Sequence, residues 1–396
     1  MAAKRAWAVI VALLAVALGV GVSAGWFGGA ARSDGGARAE VGVASGGTGA
    51  AGGARGTGAA GAESAADVRL SGVGASFPAP LYNRWVVEFE RVRPDIRVNY
   101  AGTGSGAGVR AIADGTVAFA ASDAPLSRKQ LEDLGGASAV LQVPMTAGGV
   151  VPAYNVPGLS APLNFTGPVI ADMFMGRITK WNDPRIAALN PGVALPNLTV
   201  TPAYRSDGSG TTFVFTSYLA GVSEAFRSTV GAGLAVRFPV GQGGRGNPGV
   251  AQIVQQVAGA LGYIELNYAV ENKIAYGAVQ SRDGAMVLPT PGSIASAAES
   301  AADAMRDSLT VNLWDRPGAG VYPISAFSYI VVYRDLRSVG SLEGARSLVT
   351  FLRWAVREGQ GLAEQLHYAP LSQAVQDRVT EALGQLTYKG ASLAAQ

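Results

Sequence analysis

The chain has 396 residues, 48% of them hydrophobic and 15% charged, with 54 glycines, one histidine, no cysteine and a formal net charge of +3. At roughly 150 residues per domain that length supports two to three domains and a sizeable core. The lack of cysteine excludes disulfide frameworks, thiolate zinc sites and thiol catalysis, the lone histidine excludes a multi-histidine metal site, and so even a charge balance carries no basic footprint for nucleic acid.

From the N-terminus, Lys4 and Arg5 precede an apolar run, Ala6 to Val22, that ends in small residues at Ser23 and Ala24. That is the layout of a secretory signal peptide. Ala6 to Phe27 would also span a bilayer, at about 20 residues, as a retained anchor. Either reading of residues 1–27 exports the rest of the chain. Residues 28–66 contain 13 Gly and 13 Ala among 39 positions. Such a stretch buries too little to offset its ordering entropy, so 28–67 is read as a flexible linker spanning roughly 35 Å.

Beyond Val68, strand and helix patterns alternate. Arg69–Val73 is a short strand; Phe77, Leu81, Trp85 and Phe89 recur at helical spacing; Ile96–Tyr100 is rich in β-formers; Val109–Ile112 belongs to a helix; Val117–Ala121 is a third strand. Apolar segments return at Val150–Tyr154, Val200–Tyr204, Phe213–Val222, Ile253–Leu261 and Tyr263–Leu266, and helices are expected at Leu348–Val356 and Val375–Leu383. The alternation predicts α/β layers around mostly parallel sheet, with the proline-rich stretches 152–168 and 184–202 as loops.

Three times a strand gives way to a Gly/Ser/Thr segment that opens a helix: Gly72-Val73-Gly74-Ala75-Ser76-Phe77-Pro78, Gly102-Thr103-Gly104-Ser105-Gly106-Ala107-Gly108, and Arg205-Ser206-Asp207-Gly208-Ser209-Gly210-Thr211-Thr212. Free N–H groups and the positive dipole end at a helix start attract anions, and glycines let the backbone approach closely. One such loop is ordinary capping; three in an exported chain point to an oxyanion site. Arg205 offers a bidentate fork, which Asp207 could hold and partly neutralise. Asp123 follows an apolar strand, where it is either a turn residue before Pro125 or a carboxylate facing an anion that still carries a proton.

At these residues the sequence resembles the phosphate-binding proteins of bacterial high-affinity phosphate ABC importers. Gly74-Ala75-Ser76-Phe77-Pro78-Ala79-Pro80-Leu81-Tyr82, Gly102-Thr103-Gly104-Ser105-Gly106, Ala121-Ser122-Asp123-Ala124-Pro125-Leu126, Trp181-Asn182-Asp183, Arg205-Ser206-Asp207-Gly208-Ser209-Gly210-Thr211, Gly246-Asn247-Pro248-Gly249 and Gly262-Tyr263-Ile264-Glu265 carry the likeness, from about residue 70 to the C-terminus. The resemblance implies an α/β two-lobed periplasmic solute-binding fold of type II with a hinge between lobes. It also implies a role without catalysis, cofactor or metal, in which a monomer hands inorganic phosphate to an ABC permease and does not bind nucleic acid. Carried over residue by residue, Ser76 gives hydroxyl and N–H, Phe77 N–H, Ser105 hydroxyl, Asp123 a proton acceptor, Arg205 the guanidinium supported by Asp207, Ser209 and Thr211 hydroxyl and N–H, and Gly210 N–H. Ser76 stands where threonine is common, a change that keeps the hydroxyl. Lobe I is expected at 68–146 plus 323–396 and lobe II at 147–322, with crossovers near Thr146–Val151 and Tyr322–Ala326. Export places the protein in the periplasm or on the outer face of the cytoplasmic membrane.

Other readings explain less. Gly102-x-Gly104-x-x-Ala107 with Asp123 about 20 residues on imitates a dinucleotide fingerprint, but leaves the other two loops without a role. A secreted phosphatase would have only His367 as a histidine base, and the one Gly-x-Ser-x-Gly, from Gly21 to Gly25, lies inside the leader. A binder of another oxyanion remains the nearest alternative.

Overall fold

The computed structural model describes residues 68–159 and 161–393. The leader or anchor at 1–27 and the linker at 28–67 lie outside the described residues. Among those described, no helix is long and apolar enough to cross a membrane.

Nine strands form one sheet: β1 (Val68–Gly74), β2 (Ile96–Ala101), β3 (Phe119–Ser122), β4 (Val140–Tyr154), β5 (Thr201–Arg205), β6 (Gln242–Gly244), β7 (Ala260–Glu265), β8 (Ala275–Tyr276) and β9 (Ser325–Tyr333). Their order is β2-β1-β3-β9-β4-β7-β5-β6, with β8 beside β4. The helices that matter for the site are α1 (Ala79–Val92), α2 (Ser105–Ala113), α3 (Gly210–Val222), α4 (Gly246–Gln256), α5 (Leu266–Glu271) and α6 (Leu342–Val356).

The expectation of mostly parallel sheet is corrected. β1 is parallel to β2 and β3, and β5 to β6 and β7. Between these groups β9 runs antiparallel to β3 and β4, and β4 antiparallel to β7 and β8. Both central strands are buried along nearly their whole length, so their side chains show none of the polar alternation that marks a half-exposed antiparallel strand. The expected loop at 152–168 is corrected too, because β4 runs through Pro152, which stands opposite Tyr263 of β7.

β4 changes partner part-way along. Val140 to Gly149 pair with β9, while Val150 to Tyr154 pair with β7. One strand therefore belongs to both halves of the sheet. Gly148 stands at the changeover, and a Cβ there would meet the Phe77 ring at 2.7 Å. The β4/β9 register skips between Ser328 and Tyr329, leaving Met145 as the extra residue of a bulge, whose carbonyl accepts from Gln360 Nε2 at 3.0 Å.

α1 begins at Ala79, two residues later than the apolar spacing implies, because Pro78 and Pro80 suit a first turn and lack the N–H that a helix interior needs. Its apolar face buries Leu81, Tyr82, Trp85 and Phe89. Trp85 stacks on Tyr82 at 5.0 Å and donates to the Gly359 carbonyl at 2.7 Å, while Phe89 meets Phe351 of α6 edge-on. One apolar cluster continues through Val150 and Tyr154 to Phe215 and Tyr263.

Candidate functional site

Four helices start where the two half-sheets meet. α1 and α2 follow β1 and β2, whereas α3 and α4 follow β5 and β6. The carboxyl ends of parallel strands, at a change of strand order, are where such sheets present helix N-termini to ligands. The sequence pointed to three of these starts. The fourth, at Gly246-Asn247, is an addition.

In the first half, Ser76 lies buried in the turn before α1, and its Oγ accepts from Asn247 twice, from the backbone N at 3.1 Å and from Nδ2 at 3.0 Å. Phe77 follows, fully buried, its carbonyl accepting from Tyr368 at 2.7 Å. Ser105 is the first residue of α2, and its Oγ accepts from Asp123 N at 3.3 Å and from Gly210 N at 3.0 Å. Asp123, just past β3, is 2% exposed. The Ser328 hydroxyl donates to Asp123 Oδ1 at 2.8 Å, whereas Oδ2 is buried with no hydrogen-bond partner. Burial pushes this carboxyl up to about 7, against the downward pull of the Ser328 hydrogen bond, the Arg205 charge and the Ser105 hydroxyl.

In the second half, Arg205 closes β5 and is forked onto Asp207, Nε to Oδ1 at 2.8 Å and Nη2 to Oδ2 at 2.5 Å. Its Nη1 donates to Thr211 Oγ1 at 3.2 Å, and its backbone N donates to the Tyr263 hydroxyl at 3.0 Å. Asp207 Oδ1 also accepts from Gly246 N at 3.0 Å. Burial works to raise the Asp207 carboxyl, but the Arg205 hydrogen bonds and charge outweigh it and hold it below the usual range. Ser209 caps α3, its Oγ accepting from Thr212 N at 3.0 Å, which leaves the hydroxyl proton to donate elsewhere. One expectation is corrected here: the Ser209 N–H donates to the Leu234 carbonyl at 2.7 Å and is committed to that bond.

Contacts across the halves thus bring Ser76, Phe77, Ser105, Asp123, Arg205, Asp207, Ser209, Gly210 and Thr211 into one connected set. The sequence reading did not place Asn247 in the site. It is fully buried and joins Ser76 to Thr211, its Nδ2 lying 3.2 Å from Thr211 Oγ1. Its signal was the Gly246-Asn247-Pro248-Gly249 segment, which gives no sign of what the side chain reaches. Ser328 had no signal at all, being one polar residue inside the buried strand β9. His367 occupies a left-handed turn with φ 63. Among the described residues, no group of three or more His, Asp or Glu side chains could hold a metal ion.

Gly210 stands directly against the other half. A Cβ there would come within 2.6 Å of Asp123 Cβ, Asp123 Oδ2 and Ser105 Oγ. Gly210→Ala should therefore weaken anion binding at least tenfold by holding the halves apart, while thermal unfolding of the ligand-free chain stays within a few degrees of the parent. Calorimetric titration beside a melting curve checks both parts, and an unchanged affinity would count against close apposition at this point.

Residues 54–358 match the family model described as a PBP superfamily domain. The phosphate-binding protein PstS of Xylella fastidiosa (strain Temecula1) is 39% identical over 311 residues, covering 78% of this chain and 83% of that protein. Among solved structures, a phosphate-binding protein from Stenotrophomonas maltophilia superposes with a TM-score of 0.61 at 20% identity, over 79% of this chain and 93% of the other. An ABC-type phosphate transport receptor from Vibrio cholerae gives a TM-score of 0.50 at 16% identity, over 76% and 100%. The structural matches establish the two-lobed α/β architecture of periplasmic binding proteins. By its family model and its relatives, the chain belongs to the PstS family of phosphate-binding proteins.

Proposed function

We propose that this protein captures inorganic phosphate between its two lobes and releases it to an ABC permease. The observation that carries the reading is the pairing of a buried, Asp207-locked Arg205 with a buried Asp123 oxygen that lacks a partner. The guanidinium supplies charge and a fork, the hydroxyls of Ser76, Ser105, Ser209 and Thr211 and the N–H groups of Ser76, Phe77 and Thr211 supply uncharged donors, the Gly210 N–H would join them on leaving Ser105 Oγ, and Asp123 supplies the one acceptor. A tetrahedral oxyanion that keeps a proton matches that inventory.

Lobe I is assigned to 68–146 plus 323–396 and lobe II to 147–322, a division supported by the change of partner along β4 at Gly149–Val150. Ser76, Ser105 and Asp123 then face Arg205, Gly210 and Thr211 across the cleft. Phosphate completes its bonds only when the lobes meet, so it shifts the population toward the closed form, the state a permease would recognise. The protein acts as an exported monomer at the outer face of the cytoplasmic membrane, and binding and release are its whole chemistry, with no turnover.

The test is calorimetric titration of the full chain, stripped of bound anion, with phosphate, arsenate and sulfate. Phosphate and arsenate should bind one to one and displace each other, with sulfate weaker by about a thousandfold. Failure to bind phosphate, or sulfate binding of equal strength, would sink the assignment.

A further inference from the structure

The turn before α1 is held from behind by two tyrosines. Tyr268 of α5 donates to the Ser76 carbonyl at 2.6 Å, and Tyr368 donates to the Phe77 carbonyl at 2.7 Å. The Tyr368 hydroxyl also lies 2.9 Å from Glu265 Oε2 at the end of β7. A carbonyl can only accept, so the Tyr368 proton goes to Phe77, and a second hydrogen bond between Tyr368 and Glu265 needs a proton on the glutamate. Counting protons thus makes Glu265 a neutral acid, donating to Tyr368 while accepting the Asn267 N–H at 3.0 Å.

The surroundings agree. Glu265 is fully buried, and burial pushes its carboxyl well above the usual range, against the Asn267 backbone hydrogen bond, while the Asp123 charge adds to the rise. The titratable and charged groups facing it from the packed elements are Tyr368, Tyr268 and Asp123, with Arg205 acting on Tyr268. The Glu265 backbone N donates to Asn247 Oδ1 at 3.0 Å, so the same residue abuts the site from both sides.

We propose that Glu265, as a neutral carboxylic acid of lobe II, is a positioning residue for the anion site: it clasps Tyr368 of lobe I and thereby fixes the Phe77 peptide at the start of α1. This rests on the hinged phosphate-binding reading above. The clasp forms on closure. When the lobes part, the glutamate meets water and ionises, and closing takes the proton back.

Binding of phosphate to the full chain, followed calorimetrically at pH 7 in buffers of differing ionisation enthalpy, gives the protons taken up per phosphate bound. The unaltered chain should take up about one proton more than Glu265→Gln. That variant should still bind phosphate, weakened no more than about tenfold, since its amide nitrogen in the place of Oε2 donates to Tyr368 but no longer accepts the Asn267 N–H. Equal proton counts with binding intact would overturn the clasp alone, whereas no phosphate binding by the unaltered chain would overturn the functional reading beneath it. Should Glu265→Gln fail to fold, Tyr368→Phe carries the test: the Phe77 carbonyl loses its partner and phosphate binding should weaken about tenfold, and an unchanged affinity overturns the proposal.

Discussion

Replacing Arg205 with alanine should weaken phosphate binding by about a thousandfold, the largest loss expected from any single residue of the cleft. Three causes act together. The guanidinium is the site's only cation among the residues assigned to it, and charge-assisted bonds are about twice as strong as neutral ones. Its side chain is 1% exposed, so its interactions are little screened. Its removal also leaves Asp207 beside the anion, still held in place by Gly246 N at 3.0 Å, so attraction becomes repulsion. Truncating one member of a buried charge pair costs about 2–5 kcal/mol, or roughly thirtyfold to several thousandfold in affinity. Arg205→Lys keeps the charge but loses the fork, and should fall between the two. The double variant Arg205→Ala with Asp207→Asn should bind better than Arg205→Ala alone, because the stranded carboxylate is gone. Titration calorimetry on the three variants decides the matter, and a loss below threefold for Arg205→Ala would remove the guanidinium from the site.

The second large effect is on selectivity. Asp123→Asn should raise sulfate binding relative to phosphate by about a thousandfold while changing phosphate affinity much less. Phosphate near neutral pH still carries a proton that Asp123 Oδ2 can accept, whereas sulfate carries none and meets the carboxylate charge on charge. At 4 Å and an effective dielectric near 20, that repulsion costs roughly 4 kcal/mol, about a thousandfold. An amide has no charge to repel with and can donate. The same logic fixes a pH dependence. The Asp123 carboxyl is raised to about 7 in the closed fold, so as the pH falls below 7 it takes up a proton there while still ionised in water. The closed form therefore gains stability relative to the open one as the pH drops through 7 towards the ordinary carboxylate range, and the carboxyl becomes a donor. Sulfate affinity of the unaltered chain should climb as the pH falls from 8 to 5, and Asp123→Asn should flatten that climb. A sulfate affinity with no pH dependence would show that this carboxyl does not face the anion.

What the sequence made legible was local. Glycine, serine and threonine between an apolar strand and an apolar helical face announce a helix start through turn and cap chemistry, and α1, α2 and α3 begin close to where those residues stand. What stayed hidden was non-local. Asn247 reaches Ser76 across 171 residues of chain, and Ser328 reaches Asp123 across 205. Nothing near either residue specifies its partner. β9 escaped notice because a strand buried on both faces is a plain apolar run, and the antiparallel middle of the sheet escaped with it. Pro152 misled in the opposite direction. Proline marks loops because it cannot donate to a ladder, yet it is tolerated where its neighbour needs no N–H.

The strand that serves both half-sheets has one more consequence. Two separate bodies that must meet around a guest lose translational and rotational freedom, at an estimated cost of about 4–15 kcal/mol. Here the two jaws are already riveted along a single ribbon, with Val150 N bonded to the Ile324 carbonyl at 2.8 Å across the pivot. Only an angle is left to surrender. Each bond gained at the rim of the closing mouth then goes almost entirely into grip, and letting go requires no more than a twist.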